Sequence, residues 1–339
     1  MDLIELSRAL QQAESGTGET LLDEFKRMVD LVVRDQAPNS QPVRVLAAVL
    51  SAVRKAAWKL DEMSKERLER GDEIDEEWGR NVERSLQDLI QQHVDEQLQP
   101  EKPTYAWSRE LAPGADPASD LVEGSLVLIG DAVEGFRMFV RQMTTYSISV
   151  AMARATKEGL EPMCGVVMNP PSQEIFLGFL NGGAVLLNER TRTVQPLYPS
   201  SECRLRRLWI GTHLSTSDLA ASYQFIHRVL DKLPPISDRV VMLGSGQLAL
   251  CYVASGRLDA FLNVSTPYYD VYAGKVIADA AAACSGAGPY VTDFRNQPWT
   301  PEGRGVLATA NQDLHEFFWR LIKMADRDCR SPLRKRQRA

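Results

Sequence analysis

Near residue 105 the spacing of apolar residues along this chain changes from a helical to a strand-like pattern. Before that point, the segment VRVLAAVLSAVRKAAWKLDEM at 43–63 repeats apolar residues every three or four positions, which predicts an amphipathic helix. The segment EEWGRNVERSLQDLIQQHVDEQL at 76–98 repeats this pattern. Each helix must bury its apolar face, so both require a partner layer elsewhere in the chain.

Short apolar runs separated by turn residues predict that partner layer. We predict strands of one mixed sheet in the runs SLVLIGD, YSISVAMARA, EIFLGFL and GAVLLN. From residue 207 onwards strands and helices alternate, as in RLWIGTH followed by SDLAASYQFIHRVLDKL. A mixed sheet followed by alternating units predicts a layered α/β or α+β fold. The 339 residues, 44% of them hydrophobic, supply enough apolar material for a large core.

Three parts of the chain differ in composition, and the difference predicts how it is organised. Residues 1–41 end in the linker-like stretch RDQAPNSQP and are predicted to form a helical extension. Residues 42–327 carry the periodic segments and form the main domain. Residues 328–339 form a short basic tail that is predicted to be disordered. The extension and the tail are the two segments that could bind a protein partner.

Charge and composition exclude several classes of protein. The net charge of −6 argues against general nucleic-acid binding. The chain has no run of about eighteen apolar residues, so we expect no membrane span. The first residues, MDLIELSRALQQAESG, lack the apolar core of a signal peptide, which predicts a cytoplasmic protein. The five cysteines are widely spaced and form no CxxC pair, so neither a zinc site nor a disulfide framework is indicated.

Two acidic residues stand at the end of an apolar run that is typical of a buried strand. In LVLIGDAVEGFRMFV, which starts at Leu126, Asp131 and Glu134 are three positions apart and Gly135 follows. Burying carboxylates costs free energy unless they are paired or bind a metal ion. The pattern therefore predicts a metal site or an ion-paired cluster at this strand end.

The same stretch resembles the first hallmark of the inositol monophosphatase family, a strand ending in Asp-Pro-Ile-Asp-Gly-Thr followed by Asn-Phe-Val. The stretch Tyr269-Asp-Val-Tyr-Ala-Gly274 resembles the second hallmark, Trp-Asp-x-Ala-Ala-Gly. Between them, GSGQLALCYVASGRLDAF at 244–261 is similar to the family's Gly-Ser helix and its Gly-Arg-Leu-Asp-Ala segment. These pieces occur in the family's order over residues 43–325. The resemblance implies the family's αβαβα arrangement.

The resemblance also implies a site and a chemistry. The family uses divalent cations, usually Mg²⁺, to polarise a phosphate ester and to activate the attacking water. Its ligand positions correspond here to Asp131, Glu134 and Asp270. Its substrate would be a small phosphorylated metabolite, a sugar, inositol or nucleotide phosphate, and the family usually forms homodimers. The backbone positions expected to approach the substrate are Gly135, Gly244, Ser245 and Gly246.

Several positions depart from the family pattern. Arg109 stands where a glutamate ligand is expected, and Glu110 could serve as ligand and catalytic group only after a backbone shift. Phe136 replaces the threonine that orients the attacking water, and it has no side-chain oxygen. Asn263 stands where members often place an acid for a sugar hydroxyl. The helix acid that assists the water is predicted to be Glu83.

These departures leave two functional hypotheses. The first is a metal-dependent phosphomonoesterase with an altered and weakened site, which holds at most one Mg²⁺ ion weakly. In that case Arg109 could hold the substrate phosphate through a bidentate contact. The second is a catalytically inactive or repurposed protein of the same fold that binds a partner. In that case Arg109 could instead pair with Glu134 or Asp131 in place of a cation.

Overall fold

A computed structural model of the chain defines the architecture of most of the main domain. The predicted extension and tail lie outside the described residues apart from residues 41 and 328, so their boundaries stay predictions. The structure describes residues 41–71, 75–107, 121–180, 182–213, 220–232, 237–264, 267–286, 288–300 and 305–328.

Two long helices open the described chain. Helix α1 spans Gln41–Glu69 and helix α2 spans Glu76–Gln97. The carboxylate of Asp75 caps α2 by accepting a hydrogen bond from the Trp78 backbone N–H at 2.8 Å. The apolar stripe predicted from the sequence faces inward in both helices, and it packs on one face of the first sheet.

The first sheet has seven strands that lie in chain order. Strands β1 and β2 pair in parallel, and all the other pairs in this sheet are antiparallel. A short helix, α3 (Phe136–Val140), follows β2. The strands are β1 (Thr104–Trp107), β2 (Leu126–Glu134), β3 (Ser147–Thr156), β4 (Gly159–Asn169), β5 (Glu174–Phe179), β6 (Gly183–Asn188) and β7 (Thr193–Pro196).

The second sheet has five strands in the order β11-β12-β10-β8-β9, and four helices accompany it. Strand β8 pairs in parallel with both β9 and β10, so the carboxyl ends of these three strands meet at one edge. The strands are β8 (Leu208–Thr212), β9 (Ser237–Val241), β10 (Ala260–Asn263), β11 (Tyr290–Thr292) and β12 (Val306–Thr309). The helices are α4 (Ala220–Asp231), α5 (Gly246–Ala254), α6 (Tyr272–Ser285) and α7 (Gln312–Asp328).

Three apolar cores join these elements into five layers. The first core lies between α1, α2 and the first sheet, and the second lies between the two sheets and contains α5 and α6. The third lies between the second sheet, α4 and α7. Helix α6 lies directly on the first sheet, since a side chain at Gly178 would stand 2.5 Å from the Ile277 Cα. This arrangement confirms the predicted αβαβα fold.

Among the described residues, no helix combines the length and the hydrophobicity that a membrane span requires.

Candidate active site

The end of strand β2 places two acidic side chains on the same face of the first sheet. Asp131 pairs with Ser149 of β3 and Glu134 pairs with Ser147, so three steps along β2 match two steps along β3. The extra residue is a β-bulge. Without it, positions 131 and 134 would point to opposite faces. Both acidic residues are buried, and the Asp131 carboxylate accepts a hydrogen bond from the Val133 N–H at 3.0 Å.

A tight turn at Gly135 brings this strand end close to the loop before α5. Gly135 has a φ of 83°, in the left-handed region that favours glycine. A side chain there would lie 3.2 Å from the Gly244 carbonyl oxygen and 3.1 Å from that of Thr145. The two predicted substrate-binding glycines, Gly135 and Gly244, are therefore in contact through their backbones.

The carboxyl group of Glu134 points at the N-terminus of α5. It accepts a hydrogen bond from the Gly246 N–H at 2.9 Å and from the Ser147 hydroxyl at 3.1 Å. The Ser245 hydroxyl donates to it as well. Ser245 also caps the helix, because its Oγ accepts a hydrogen bond from the Leu248 N–H at 3.1 Å.

The segment that carries Asp270 is tied to the same helix. Asp270 ends a 3-10 turn, Tyr268–Asp270, just before α6. Its carbonyl oxygen would lie 2.8 Å from a side chain at Gly246. Buried Gln247 fixes the segment from both sides, as its Nε2 donates to the Tyr269 carbonyl and its Oε1 accepts from the Gly274 N–H, each at 2.6 Å. Asp270 thus adjoins the loop that Glu134 contacts.

The three acidic groups interact electrostatically. Burial raises the pKa of Glu134 to about 8, and the charge of Asp131 adds to this, although the three hydrogen-bond donors oppose the shift. Burial raises the pKa of Asp270 well above its ordinary value, and the charges of Glu134 and Asp131 add to the effect. The structure therefore brings Asp131, Glu134 and Asp270 together in a cluster that resists further negative charge.

The fit of this cluster to Mg²⁺ is poor as it is arranged. Magnesium takes oxygen ligands in a near-octahedral set, and carboxylates suit it. Both Glu134 oxygens, however, already accept hydrogen bonds from α5 or from Ser147. Within the described part of the chain, no group of three His, Cys, Asp or Glu side chains is arranged to hold a metal ion. Asp131 and Asp270 do not complete such a set by themselves.

Phe136 packs on α2. A side chain at Gly79 would stand 3.0 Å from the Cε2 and Cζ atoms of the Phe136 ring. The glycine therefore makes room for the ring. Glu83, predicted to assist the attacking water, lies one turn further along α2 and is buried. It belongs to the outer helix layer.

The remaining predicted residues lie elsewhere or outside the described ranges. Asn263 is buried at the end of β10, in the second sheet, where it pairs with Val306. Strand β1 ends at Trp107, level with Gly130 on β2. Arg109 and Glu110 follow it and lie outside the described residues, so their predicted roles stay predictions.

Sequence reasoning missed a pocket beside the acidic cluster. It also missed Ser147, whose hydroxyl contacts the cluster at Glu134. The pocket is a small open depression, with room for about one water molecule, between the end of β8 and the start of α5. Its polar lining includes Thr212, His213 and Ser245. Ser147, which contacts Glu134, is fully buried, as is Ser149. Two serines at alternate positions at the start of this strand were the available signal for this polar face.

Comparison with known proteins agrees with this architecture. The model of the inositol monophosphatase family matches residues 9–326. Inositol monophosphatase 1 of Solanum lycopersicum is 26% identical over 247 residues, which cover 72% of this chain and 82% of the relative. A Xylella fastidiosa protein named Nus factor SuhB is 28% identical over 165 residues, 49% of this chain and 54% of the relative.

A solved structure shows the same fold. Mycobacterium tuberculosis SuhB superposes with a TM-score of 0.65 at 19% identity, over 85% of this chain and 99% of that one. The five-layer fold, the bulged strand end with its acidic pair and the family match over residues 9–326 lead to one assignment. The chain belongs to the inositol monophosphatase family.

Proposed function

We propose that this chain acts on a small phosphorylated metabolite as a slow phosphomonoesterase with an altered metal site. Its family supports a phosphatase-like function on small phosphorylated substrates. The observation that carries the proposal is the convergence of Asp131, Glu134 and Asp270 beside the start of α5. Burial and neighbouring negative charge raise the pKa of Glu134 and of Asp270, and such acids favour the approach of a cation or of a proton donor.

The start of α5 supplies the substrate side of the cleft. The N-terminus of a helix carries partial positive charge and free backbone donors. Ser245 and Gly246 at this end border the pocket, with Gly244 before them and Thr212 across from them. A phosphate group placed at the mouth of this pocket would lie next to the carboxyl group of Glu134, which contacts Ser245 and Gly246. With the Glu134 oxygens engaged by hydrogen bonds, the cleft would hold at most one weakly bound Mg²⁺ ion.

Phe136 is the reason for expecting slow turnover. Its position follows Gly135 at the start of α3, and its ring rests on α2 at Gly79. A carbon ring there provides no hydrogen-bond partner for an attacking water. Losing one group that positions or polarises the reacting atoms typically costs about a hundredfold in rate.

A second candidate is a family member that binds a ligand or a protein partner without turnover. The packing of the Phe136 ring against Gly79 favours this second candidate, because the ring is accommodated by an apolar contact with α2. The hydrogen bond that Glu134 accepts from the Gly246 N–H of α5 also favours the second candidate. One of the relatives is named a Nus factor rather than a phosphatase.

A panel of sugar, inositol and nucleotide phosphates decides between the two candidates. Release of inorganic phosphate is measured with Mg²⁺ and with EDTA. The proposal predicts slow turnover of some member, lost in EDTA and lost in the Asp131→Asn and Asp270→Asn variants. The exposed Asp313→Asn on α7 is the matched control and should retain full activity. Binding of panel members without any phosphate release would favour the second candidate.

A homodimer is also proposed, since members of this family commonly form dimers. Light scattering at micromolar concentration tests it. A mass close to the 37.8 kDa of one chain would contradict the proposal.

A further inference from the structure

The two ends of helix α5 are connected to two glutamates of the first sheet. At the start of the helix, Glu134 of β2 accepts a hydrogen bond from the Gly246 N–H at 2.9 Å. Just beyond the end of the helix, the guanidinium of Arg257 donates two hydrogen bonds to Glu174 of β5. Nη1 donates to Oε2 at 2.9 Å and Nη2 donates to Oε1 at 2.6 Å. One short helix is therefore bound to the same sheet at both ends.

The two glutamates lie at the same edge of the first sheet. Strands β2, β3, β4 and β5 are neighbours in this order, and each pair is antiparallel. The end of β2 therefore lies at the same edge as the start of β5. Three strand spacings separate these two ends by about 14 Å, and the nine residues of α5 also rise by about 14 Å. The helix thus spans the distance between its two anchors, and it contacts β3 and β4 between them.

The guanidinium of Arg257 is held by rings as well as by the carboxylate. It lies over the Tyr252 ring of α5, 5.2 Å from the ring centroid, and over the Phe176 ring of β5 at 5.6 Å. The Ser172 hydroxyl donates to the Glu174 carboxylate at 3.2 Å, which helps to orient this acid towards the guanidinium. A bidentate contact between arginine and a carboxylate fixes geometry as well as adding energy.

The turn after α5 joins Arg257 firmly to the helix. The N–H groups of Arg257 and Leu258 both donate to the Tyr252 carbonyl, at 2.8 and 3.0 Å, so the chain folds back on the last turn of α5. Gly256 makes this turn possible with a φ of 72°, in the left-handed region that favours glycine. Movement of the Arg257 backbone would therefore move the end of the helix.

We propose that Arg257 is a positioning residue, which holds the end of α5 on Glu174 and thereby sets the position of the start of α5. A helix of about two and a half turns moves as one body, so a displaced end also displaces Ser245 and Gly246, which line the pocket. Arg257 itself is not among the residues that line the pocket. The inference rests on the proposed function only in placing the cleft at this end of α5.

Amide hydrogen exchange of the full chain in EDTA tests the inference without turnover. The Gly246 N–H donates to Glu134 and the Leu248 N–H donates to Ser245, so the exchange of these two amides reports on the start of α5. In Arg257→Ala both amides should exchange about tenfold faster or more, because the first turn of the helix opens more often. Arg257→Lys keeps the charge but loses the bidentate contact, so its effect should be intermediate.

Arg204→Ala is the matched control. The exposed Arg204 makes a similar bidentate contact, from Nε and Nη2 to Glu202, each at 2.7 Å, but it lies before β8 and not on α5. Its loss should leave the exchange of Gly246 and Leu248 unchanged. Glu174→Gln should reproduce the effect of Arg257→Ala, and the double variant should exchange no faster than Arg257→Ala, because contacting residues are not additive.

Three results would overturn the inference. The first is faster exchange confined to residues 252–258, with Gly246 and Leu248 unchanged. The second is an equal acceleration of these two amides in Arg204→Ala. The third is that Arg257→Ala and Glu174→Gln act independently. If Arg257→Ala does not fold, Glu174→Gln, which keeps the shape of the side chain, and Arg257→Lys provide the same readout. Accelerated exchange of Gly246 in a protein that hydrolyses no phosphate ester would support the inference while contradicting the proposed turnover.

Discussion

The two motif regions of the cleft, around Asp270 and around Asp131, differ in the contacts that their side chains make. Around Asp270, the backbone geometry and its support are complete, as Gln247 bridges the Tyr269 carbonyl and the Gly274 N–H. Around Asp131, the acid pair remains, but Glu134 is engaged by α5 and the next side chain is a phenyl ring resting on α2. The region that holds helices together is therefore intact, whereas the region that would serve a water molecule is filled by apolar and internal contacts.

Under the proposed function, the fold is retained although some site positions depart from the family pattern. Contacts such as the one between Gly246 and the Asp270 carbonyl are needed for packing whatever the site does. The identity of residue 136 has no such constraint, provided that its neighbour on α2 is small enough. Three measurements test how the two regions differ.

The largest expected effect is a fall in stability between about pH 4.5 and pH 8. Glutamate ordinarily ionises near 4.5, and burial followed by the charge of Asp131 raises the pKa of Glu134 in the folded chain to about 8. In this interval the folded state holds a proton that the unfolded state lacks, so unfolding is favoured as pH rises. Asp270, with its raised pKa, acts in the same direction.

Urea unfolding in EDTA at several pH values measures the effect. We expect the free energy of unfolding to fall by on the order of a few kcal/mol across the interval and then to level off. Glu134→Gln should flatten the curve, and the exposed Glu158→Gln should not. A free energy that rises with pH, or a Glu134→Gln curve identical to the wild type, would contradict this prediction.

The second effect concerns activity. Replacing Arg109 with Glu and Phe136 with Thr should restore the acid and the hydroxyl that the family pattern has at these two positions. We expect phosphate-ester turnover and Mg²⁺ affinity to rise together, turnover by about a hundredfold. The two changes should act jointly, because they serve the same water and such residues are not additive.

Phe136→Leu in the Arg109→Glu background is the matched control, since it removes the ring without adding an oxygen. It should leave turnover low. If the control gains as much as the threonine variant, then space rather than the hydroxyl limits the reaction.

The smallest expected effect tests whether the packing of the Phe136 ring depends on a glycine at position 79. Gly79→Ala would place a methyl group 3.0 Å from the Phe136 ring, so it should destabilise the fold by about 1 kcal/mol. In a Phe136→Thr background the cost should become smaller, because only the contact with the Val140 Cγ2 at 3.1 Å remains and alanine favours helices over glycine. Urea unfolding of the four proteins measures the coupling, and equal costs in both backgrounds would show that the pair is not matched.

Much of the fold could be predicted from the sequence because the long apolar patterns are local signals. The period change near residue 105 separates α1 and α2 from the first sheet, and Gly286 ends α6 in the left-handed conformation, as expected for a helix terminator. Short edge strands escaped prediction. Strand β7, Thr193–Pro196, has four residues and contains a proline, so it is formed by its pairing with β6 rather than by its own pattern.

The site residues could be predicted only where they occupy positions of a family sequence motif. Asp131 and Asp270 stand in motif positions, and the structure places both in the cluster. The contacts of Glu134 could not be predicted, since Ser147 and Ser245 are 98 positions apart and meet only in the folded chain. Similarly, Gly79 gives no sign in the sequence that it faces Phe136. Which residues form such pairs depends on how the layers of the fold pack on one another. The spacing of residues along one segment does not determine that packing.

The most direct test of the altered site is a crystal structure of the protein with Mn²⁺, in which anomalous scattering counts the ions. We expect at most one partly occupied ion, in contact with Asp131 and Asp270, while Glu134 still accepts hydrogen bonds from Ser245 and Gly246. Two or three fully occupied ions, with the Glu134 carboxylate turned away from α5 onto one of them, would contradict it.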